Sequence, residues 1–146
     1  MRTQIVMSTD GACKGNPGPG GWGAILKCGE HRKELAGYQP NATNNQMELR
    51  AVIEGIRALK KPCHVVVETD SHYVCTGIAN GPQWALKGWK LRNGKEPANV
   101  KMWKELAALT KAGNHTLYYN YVKGHSGNPD NERCDQLAKE QILKGA

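Results

Sequence analysis

The feature that most constrains the fold is a short apolar run at residues 64–70, with the letters HVVVETD. A continuous run rich in β-branched residues is typical of a strand that is buried on both faces of a sheet. Residues 4–10 form a similar run, and a helix is predicted between the two runs. A strand, a helix and a second strand make a parallel crossover. The sequence therefore predicts an α/β protein.

Three strands precede the predicted crossover. The first, at 4–10, is followed by a turn rich in glycine and proline at 11–21, and strands are predicted at 22–27 and 32–38. Consecutive strands joined by short turns form an antiparallel meander. Residues 18–23 match the G-x-G-x-x-G pattern of dinucleotide-binding proteins, but a strand follows instead of the helix that such a site needs. The pattern therefore does not indicate a nucleotide cofactor.

The rest of the chain alternates helices and strands within one predicted domain, 1–146. Thr43 and Gln46 have the spacing of a capping box, which predicts a helix from there to about Leu59. Periodicity predicts three further helices and a fifth strand, at 71–78, 100–109 and 130–143 for the helices and 117–122 for the strand.

Charge and cysteine content limit the class of protein. Twenty Lys and Arg against 13 Asp and Glu give a net charge of +7, which favours a polyanionic partner such as nucleic acid. Five cysteines without a C-x-x-C pair argue against a disulfide framework and a thiolate zinc site. The sequence has neither an apolar signal core nor a membrane-spanning run, so we expect a soluble, cytoplasmic protein without a membrane partner.

The basic residues concentrate in one segment. Residues 83–104 carry six basic residues and one acidic residue, and Trp84 and Trp89 are interleaved with the first of these. Lysines alternating with aromatic rings suit phosphate contact combined with stacking. A plain charged surface loop is the alternative interpretation.

Four carboxylates stand at positions that need an explanation. Asp10 and Asp70 each end a predicted strand, and the carboxyl ends of neighbouring parallel strands meet at one sheet edge. Glu48 lies on the core-facing stripe of its helix, and Asp135 on the inward face of the last helix. Taken singly, Asp10 could belong to a hairpin turn, Asp70 could be a helix N-cap and Glu48 could favour the helix dipole.

Five motifs, in order along nearly the whole chain, carry a resemblance to a known family. They are Thr9-Asp10-Gly11-Ala12, the glycine-proline turn with Asn16, TNNQMEL at 43–49, ETDS at 68–71, and GHSG at 124–127 with NERCD at 131–135. Together they resemble the type 1 ribonuclease H family in its bacterial single-domain form. The resemblance implies a ribonuclease H-like fold, a mixed five-stranded sheet ordered 3-2-1-4-5 and flanked by helices. It also implies a monomeric endoribonuclease that hydrolyses the RNA strand of RNA·DNA hybrids.

The resemblance also assigns roles to individual residues. It implies that the metal-binding, catalytic carboxylates are Asp10, Glu48, Asp70 and Asp135. His125 would be a mobile residue that assists proton transfer or product release, although an ordinary surface histidine is the alternative. The basic segment at about 80–99 corresponds to the family's substrate handle. The implied substrate-binding residues are Gly11, Asn16, Thr43, Asn44, Asn45, His72, Trp84, Lys87, Trp89, Lys90 and Asn99, with Thr43 and Asn99 in a pocket for a DNA-strand phosphate.

The chemistry of the four acids supports these assignments independently. Gathered carboxylates repel one another, but hard oxygen ligands are what Mg²⁺ requires. Two Mg²⁺ ions, for which Mn²⁺ could substitute, would lower the pKa of an attacking water and stabilise the charge on the leaving 3′ oxygen. The products would then carry 5′-phosphate and 3′-hydroxyl ends. The RNA 2′-hydroxyl would be sensed across the minor groove. The resemblance implies that Glu48 and the backbone near 11–16 are the candidates for this contact.

Three departures from the family pattern concern substrate affinity. Asn41 stands where many relatives carry a basic residue, His72 stands where glutamine is usual, and 80–82 interrupts the approach to the substrate handle.

Three other functions remain open from the sequence. A binding module without catalysis has no need of four acids, a resolvase-like or integrase-like nuclease should lack the handle and cut DNA, and a reverse transcriptase domain is a third possibility.

Overall fold

The computed structural model describes residues 2–124 and 126–145, and its centre is a five-stranded mixed sheet ordered β3-β2-β1-β4-β5. Strands β1 to β3 pair antiparallel, while β4 and β5 run parallel to β1. The predicted fold class and strand order are confirmed. In chain order the elements are β1 Thr3–Cys13, β2 Gly18–Cys28, β3 His31–Ala42, α1 Asn44–Arg57, β4 Cys63–Thr69, α2 His72–Leu86, α3 Val100–Ala112, β5 Thr116–Tyr121 and α4 Pro129–Gly145.

The main core lies between the sheet and helices α1 to α3. It is built from apolar side chains of β1 and β4 and from the inward faces of α1 and α3, among them Met7, Val65, Val67, Leu49, Val52, Ile53, Trp103 and Leu106. Helix α4 covers the other face, where Cys134 and Leu137 pack against Ile25 of β2. The two helices that carry Glu48 and Asp135 are therefore packed on opposite faces of one sheet.

The sequence predicts that strand β4 is buried on both faces, but in the structure only one of its faces is fully buried. Val65 and Val67 are fully buried, whereas His64, Val66 and Glu68 are half-buried. The reason is the position of α4, which packs on β1, β2 and β3 and leaves the β4 and β5 half of that face without a helix. Composition alone does not reveal how far a helix extends across a sheet.

Glycines of β2 let α4 approach the sheet backbone closely. A Cβ on Gly21 would lie 2.1 Å from the carbonyl oxygen of Ala138, and one on Gly23 would lie 2.6 Å from that of Cys134. The turn predicted at 11–21 is accordingly wrong, because β1 continues to Cys13 and β2 begins at Gly18. These glycines fit a helix that lies against a strand, not a turn.

Helix α1 begins as predicted. Thr43 is its N-cap and accepts a hydrogen bond from the Gln46 backbone N–H at 3.2 Å, while the Gln46 side chain accepts one from the Thr43 N–H at 3.1 Å. The helix ends at Arg57, two residues before the predicted Leu59. The capping box is confirmed as the local signal that fixes the helix start.

Helix α2 is longer than predicted, because it continues through Gly81 and Pro82 to Leu86. The predicted end of this helix at residue 78 is wrong, and the effect of 80–82 on substrate affinity stays a prediction. A proline inside a helix removes one backbone hydrogen bond, but here its ring lines an apolar cavity together with Ala85 and Trp103. The elements α3, α4 and β5 lie where predicted, with ends that differ by three residues or fewer.

Candidate active site

Three of the predicted acids meet at the edge of the sheet. Asp10 lies on β1 and Asp70 directly follows β4, and these strands are parallel neighbours. Helix α1 brings Glu48 to the same place. One carboxylate oxygen from each of Asp10, Glu48 and Asp70 lies within 4.8 Å of the others. Asp10 is only 6% exposed and Glu48 only 8%, so these charges are largely removed from water.

Asp135 joins the three acids in the lining of an open cleft of about 530 Å³. Its carboxylate forms an ion pair with the Lys139 ammonium one helical turn away, with the Lys139 Nζ 2.9 Å from Asp135 Oδ2. Lys139 lines the same cleft but was absent from the predicted site. The spacing of the two residues, i and i+4 on one helix, is the signal from which it could have been found.

The acids shift one another's ionisation. The pKa of Asp10 is raised to about 6, chiefly by burial, and the charges of Asp70 and Asp135 act in the same direction. Burial also raises the pKa of Glu48 well above its ordinary value, as does its hydrogen bond to Asp10. That hydrogen bond lowers the pKa of Asp10 and raises that of Glu48, as expected when a protonated Glu48 donates to an ionised Asp10.

One backbone group orients the buried pair. The Gly11 N–H donates to Asp10 Oδ1 at 3.0 Å and also to Glu48 Oε1. A side chain at this position is excluded, because a Cβ on Gly11 would lie 2.5 Å from the Glu48 backbone nitrogen. The glycine therefore allows β1 and α1 to touch where the two carboxylates meet.

The acidic cluster fits a divalent cation. Its ligand atoms are hard carboxylate oxygens from three positions that already lie within reach of one ion. Burial is the main cause of the raised pKa values of Asp10 and Glu48, so their ionised forms are costly in the metal-free chain. A bound cation would supply the missing positive charge, so the residues present suit a metal centre.

The metal-free chain should gain stability when Asp10 is neutralised. The folded-state pKa of about 6 lies above the ordinary 3.8, so the stabilisation from protonated Asp10 is fully present below about pH 3.8 and lost as the pH rises through 6. In EDTA at about pH 7.5, we expect Asp10→Asn to raise the free energy of unfolding by about 1–3 kcal/mol, and at about pH 3.5 to change it little. Urea denaturation followed by circular dichroism measures both values.

Asp130 of α4 is the matched control for this measurement. Burial raises the pKa of Asp130, but hydrogen bonds from Lys27 and Arg32 outweigh that effect, so its pKa is lowered overall. The stability that it contributes is present above its ordinary pKa and lost in acid, so Asp130→Asn should destabilise the chain at about pH 7.5. Equal effects of Asp10→Asn at the two pH values would contradict the electrostatic account of the acidic cluster.

Several predicted substrate-binding residues surround the acids. Gly11, Asn44, Asn45 and His72 line the same cleft. Asn16 lies beside them, because its side-chain oxygen accepts a hydrogen bond from the Asn44 backbone N–H at 3.0 Å. The structure therefore brings this part of the predicted set together with the candidate metal ligands.

The predicted phosphate pocket is held together by Gln46. This residue donates its backbone N–H to Thr43 Oγ1 and its side-chain amide to Asn99 Oδ1, the latter at 3.2 Å. Asn99 adopts a left-handed backbone conformation with φ of 59° and donates to the Tyr73 hydroxyl at 3.0 Å. Tyr73 also accepts from Trp103 Nε1 at 2.9 Å, which anchors the pocket to the core. Sequence reasoning missed Tyr73, since no local pattern joins it to Asn99.

In the substrate handle the lysines face solvent, whereas the tryptophans pack against the core. Lys87, the C-cap of α2, and Lys90 are exposed. Trp84 and Trp89 are half-buried and pack on the core, where Trp84 meets Trp103 edge-on with ring centroids 5.9 Å apart. The rings thus fix the handle to the domain, and their contact with substrate stays a prediction.

The prediction for His125 falls outside the described residues. The residue before it, Gly124, lies against Asp70, since a Cβ there would be 2.7 Å from Asp70 Oδ2. The loop predicted to carry the histidine therefore starts at the cleft.

Comparison with known proteins agrees with this geometry. The family model described as RNase H matches residues 2–143. Ribonuclease H of Paracidovorax citrulli is 51% identical over 142 residues, which cover 97% of this chain and 95% of that protein. The solved structure of LC9-RNase H1, a type 1 RNase H with the type 2 active-site motif, superposes with a TM-score of 0.86 at 28% identity and covers 100% of this chain and 75% of that one.

A further solved structure shares the fold. LC11-RNase H1, determined in complex with an RNA/DNA hybrid, superposes with a TM-score of 0.71 at 24% identity and covers 97% of this chain and 98% of that one. The family match extends over nearly the whole length that carries the acidic cluster and its surrounding cleft. The chain therefore belongs to the ribonuclease H family.

Proposed function

We propose that this chain is an endoribonuclease that hydrolyses the RNA strand of RNA·DNA hybrids. The observation that carries the proposal is the convergence of Asp10, Glu48 and Asp70 within 4.8 Å in an open cleft, in a chain of the ribonuclease H family. A two-metal mechanism is typical of that family. A net charge of +7 suits a polyanionic substrate of this kind.

The metal ligands in this proposal are Asp10, Glu48, Asp70 and Asp135, which would hold two Mg²⁺ ions or Mn²⁺ in their place. Bound ions would activate a water for attack on the phosphodiester and stabilise charge on the departing 3′ oxygen. The Gly11 N–H keeps Asp10 and Glu48 oriented towards the cleft. Asp135 is less buried than Asp10, and its Oδ2 is paired with Lys139.

Recognition of the hybrid is assigned to the rim of the cleft. Amide groups of Asn16, Asn44 and Asn45 provide donors and acceptors next to the acids, as needed to bind an RNA 2′-hydroxyl across a shallow minor groove. The pocket of Thr43 and Asn99 offers a hydroxyl and an amide to a DNA-strand phosphate. His125 is proposed to assist proton transfer or product release, and His72 to contact the substrate beside Asp70.

The substrate handle, as part of one domain spanning 1–146, is proposed to bind the backbone of the hybrid. We expect Lys87→Ala with Lys90→Ala to weaken binding and to reduce the slope of log affinity against log salt by about 1 to 2, because each neutralised phosphate contributes a slope of about 0.9. Fluorescence anisotropy with a labelled hybrid in EDTA, from about 50 to 200 mM salt, measures the slope.

A matched pair of lysines controls for net charge. Lys60 and Lys61 are exposed in the loop before β4. This loop lies at the amino end of β4, whereas Asp70 follows the carboxyl end of the same strand. Replacing both with alanine removes the same charge as the handle variant but should change the slope by much less. Equal slopes for the two double variants would place the phosphate contacts elsewhere.

The reaction itself is tested by its metal dependence and its products. We expect end-labelled hybrid to be cut in Mg²⁺ and untouched in EDTA, and the new ends to be 5′-phosphate and 3′-hydroxyl. Ligation of the downstream product without prior phosphorylation identifies the 5′-phosphate. Products with 2′,3′-cyclic phosphate ends, or cleavage that persists in EDTA, would exclude a metal-dependent attack by water.

The setting of the enzyme is proposed to be the cytoplasm, where it would act as a monomer. All five cysteines are free, which suits a reducing compartment. Within residues 2–124 and 126–145, every helix is too short or too polar to cross a membrane. Light scattering coupled to size-exclusion chromatography measures the oligomeric state, with a mass near 16.0 kDa expected for the monomer.

A further inference from the structure

Strand β5 exposes an unusual number of aromatic rings. Over residues 2–124 and 126–145, five large hydrophobic side chains are strongly exposed, and three of them lie on this six-residue strand. Tyr118, Tyr119 and Tyr121 are 50%, 48% and 43% exposed. The strand is an edge of the sheet, and none of its tyrosines belongs to the acidic cluster or the substrate handle. A cluster of exposed rings on a sheet edge is typical of a binding surface.

Two of the three tyrosines share a face. Tyr119 pairs with Val67 and Tyr121 with Thr69, and both partners are fully buried on the side of the sheet that carries α1 to α3. Tyr118 pairs with Val66 and lies on the opposite face. We call Tyr119 and Tyr121 the tyrosine face. Tyr118 provides a ring of similar exposure that does not belong to it.

The tyrosine face is continuous with the candidate active site. The imidazole of His72, which lines the acidic cleft, stacks on the ring of Tyr121 with centroids 4.1 Å apart and planes 12° apart. The Val122 N–H donates to the Thr69 carbonyl at 2.9 Å, which holds the end of β5 beside Asp70. An aromatic surface thus begins at the cleft and continues along β5 to Tyr119.

The dimensions and charge of this surface suit single-stranded nucleic acid. Side chains two residues apart on a strand are separated by about 6.7 Å, roughly twice the 3.4 Å spacing of stacked bases. Exposed Lys123 follows the strand and can neutralise a phosphate. Bases inside a duplex are covered by their neighbours, whereas unpaired bases stack readily on aromatic rings.

We propose that the tyrosine face binds unpaired nucleotides of the RNA strand where that strand leaves the hybrid duplex. This inference rests on the proposed function, since it takes the strand whose phosphate reaches Asp70 to be RNA. A strand that continues past Asp70 meets His72 and Tyr121 next, and then Tyr119. The enzyme would therefore bind hybrids with a single-stranded RNA extension more tightly than blunt hybrids.

Binding of four hybrids of one sequence tests the proposal. The first hybrid is blunt. In the second and third, the RNA strand extends beyond the duplex by about six nucleotides, at its 5′ end or at its 3′ end. The fourth has a single-stranded extension made of DNA. In EDTA, where cleavage is excluded, we expect an RNA extension at one end to tighten binding by at least about five-fold, the lower limit for stacking of one base on an aromatic ring. Fluorescence anisotropy at constant salt measures each dissociation constant.

Variants of β5 test whether the tyrosine face causes the tighter binding of hybrids with an RNA extension. Tyr119→Ala should remove most of the gain and leave binding and cleavage of the blunt hybrid unchanged, while Tyr119→Trp should retain it. Tyr118→Ala, the matched control on the opposite face, should keep the full gain. The proposal would be overturned if an RNA extension did not tighten binding, or if a DNA extension tightened it equally. It would also be overturned if Tyr118→Ala lost as much of this increase in affinity as Tyr119→Ala. Cleavage of the blunt hybrid by the unaltered protein in Mg²⁺ reports separately on the proposed function.

Discussion

We expect Asp10→Asn to abolish cleavage of a hybrid substrate and to leave its binding nearly unchanged. The substitution keeps the shape of the side chain but removes an anionic ligand from the most buried part of the acidic cluster. A metal ion contributes several kcal/mol of transition-state stabilisation, so we expect the rate in Mg²⁺ to fall by about 10³-fold or more. Binding in EDTA should persist, because phosphate contacts are assigned to the substrate handle and to the rim of the cleft.

Asp130→Asn is the control for this variant too. It removes a carboxylate from α4 that pairs with Lys27 and Arg32, outside the cleft lining. Single-turnover cleavage of end-labelled hybrid should be within a few-fold of the unaltered protein. If Asp10→Asn cut at the normal rate, the assignment of the metal site would be wrong.

We expect Gly21→Ala to lower the free energy of unfolding more than a substitution at the surface does. It should also reduce the rate of cleavage. The added Cβ would lie 2.1 Å from the Ala138 carbonyl oxygen, which belongs to the backbone of α4 and cannot rotate away. The helix must therefore move off the sheet. We expect a loss of about 3 kcal/mol or more in the free energy of unfolding, at the upper end of the range for overpacked cores. Because α4 carries Asp135, cleavage should also slow at temperatures where the variant remains folded.

Gly81→Ala is the matched control for that substitution. Gly81 lies inside α2, and a Cβ there would meet no heavy atom within 4 Å apart from its chain neighbours and the backbone of its own helix. Alanine favours a helix over glycine by about 0.8–1 kcal/mol, whereas the ring of the following Pro82 disfavours a helical residue with a Cβ before it. Because these two effects oppose each other, we expect Gly81→Ala to change the free energy of unfolding by much less than Gly21→Ala. Urea denaturation measures both variants. Equal stabilities for Gly21→Ala and Gly81→Ala would mean that α4 does not lie this close to β2.

Features that depend on short stretches of sequence were predictable. The capping box of Thr43 and Gln46 set the start of α1, and the helical period then placed Glu48 on the buried face, where the structure has it. The parallel crossover from β1 to β4 likewise followed from the order of elements, and it brings Asp10 and Asp70 to one edge. Local signals and topology together therefore predicted the place where the acids converge.

Features that depend on which elements touch were not predictable. The sequence alone predicts a turn at the glycines of β2, because only the packing of α4 reveals why Gly21 and Gly23 lack side chains. Burial of β4 on one face only, and the hydrogen bonds that join Tyr73 to Asn99, also depend on contacts between distant segments. Tertiary packing of this kind overrides local preference.

The exposed tyrosines of β5 show the same limit. An alternating pattern in a predicted strand does not say whether its outer face is covered by a helix, so the run at 117–122 gave no indication that Tyr119 and Tyr121 would be accessible. Their exposure follows from the position of β5 at the sheet edge. The surface next to the cleft was therefore found only in the folded chain.

The most direct test of the account compares three duplexes of one sequence with the protein in Mg²⁺ and in EDTA. The duplexes are an RNA·DNA hybrid, double-stranded RNA and double-stranded DNA, each labelled at one end. We expect cleavage of the RNA strand of the hybrid alone, and none in EDTA. Cleavage of the DNA duplex would indicate a nuclease of another specificity on this fold, and binding of the hybrid without cleavage in Mg²⁺ would contradict the catalytic role of the acidic cluster.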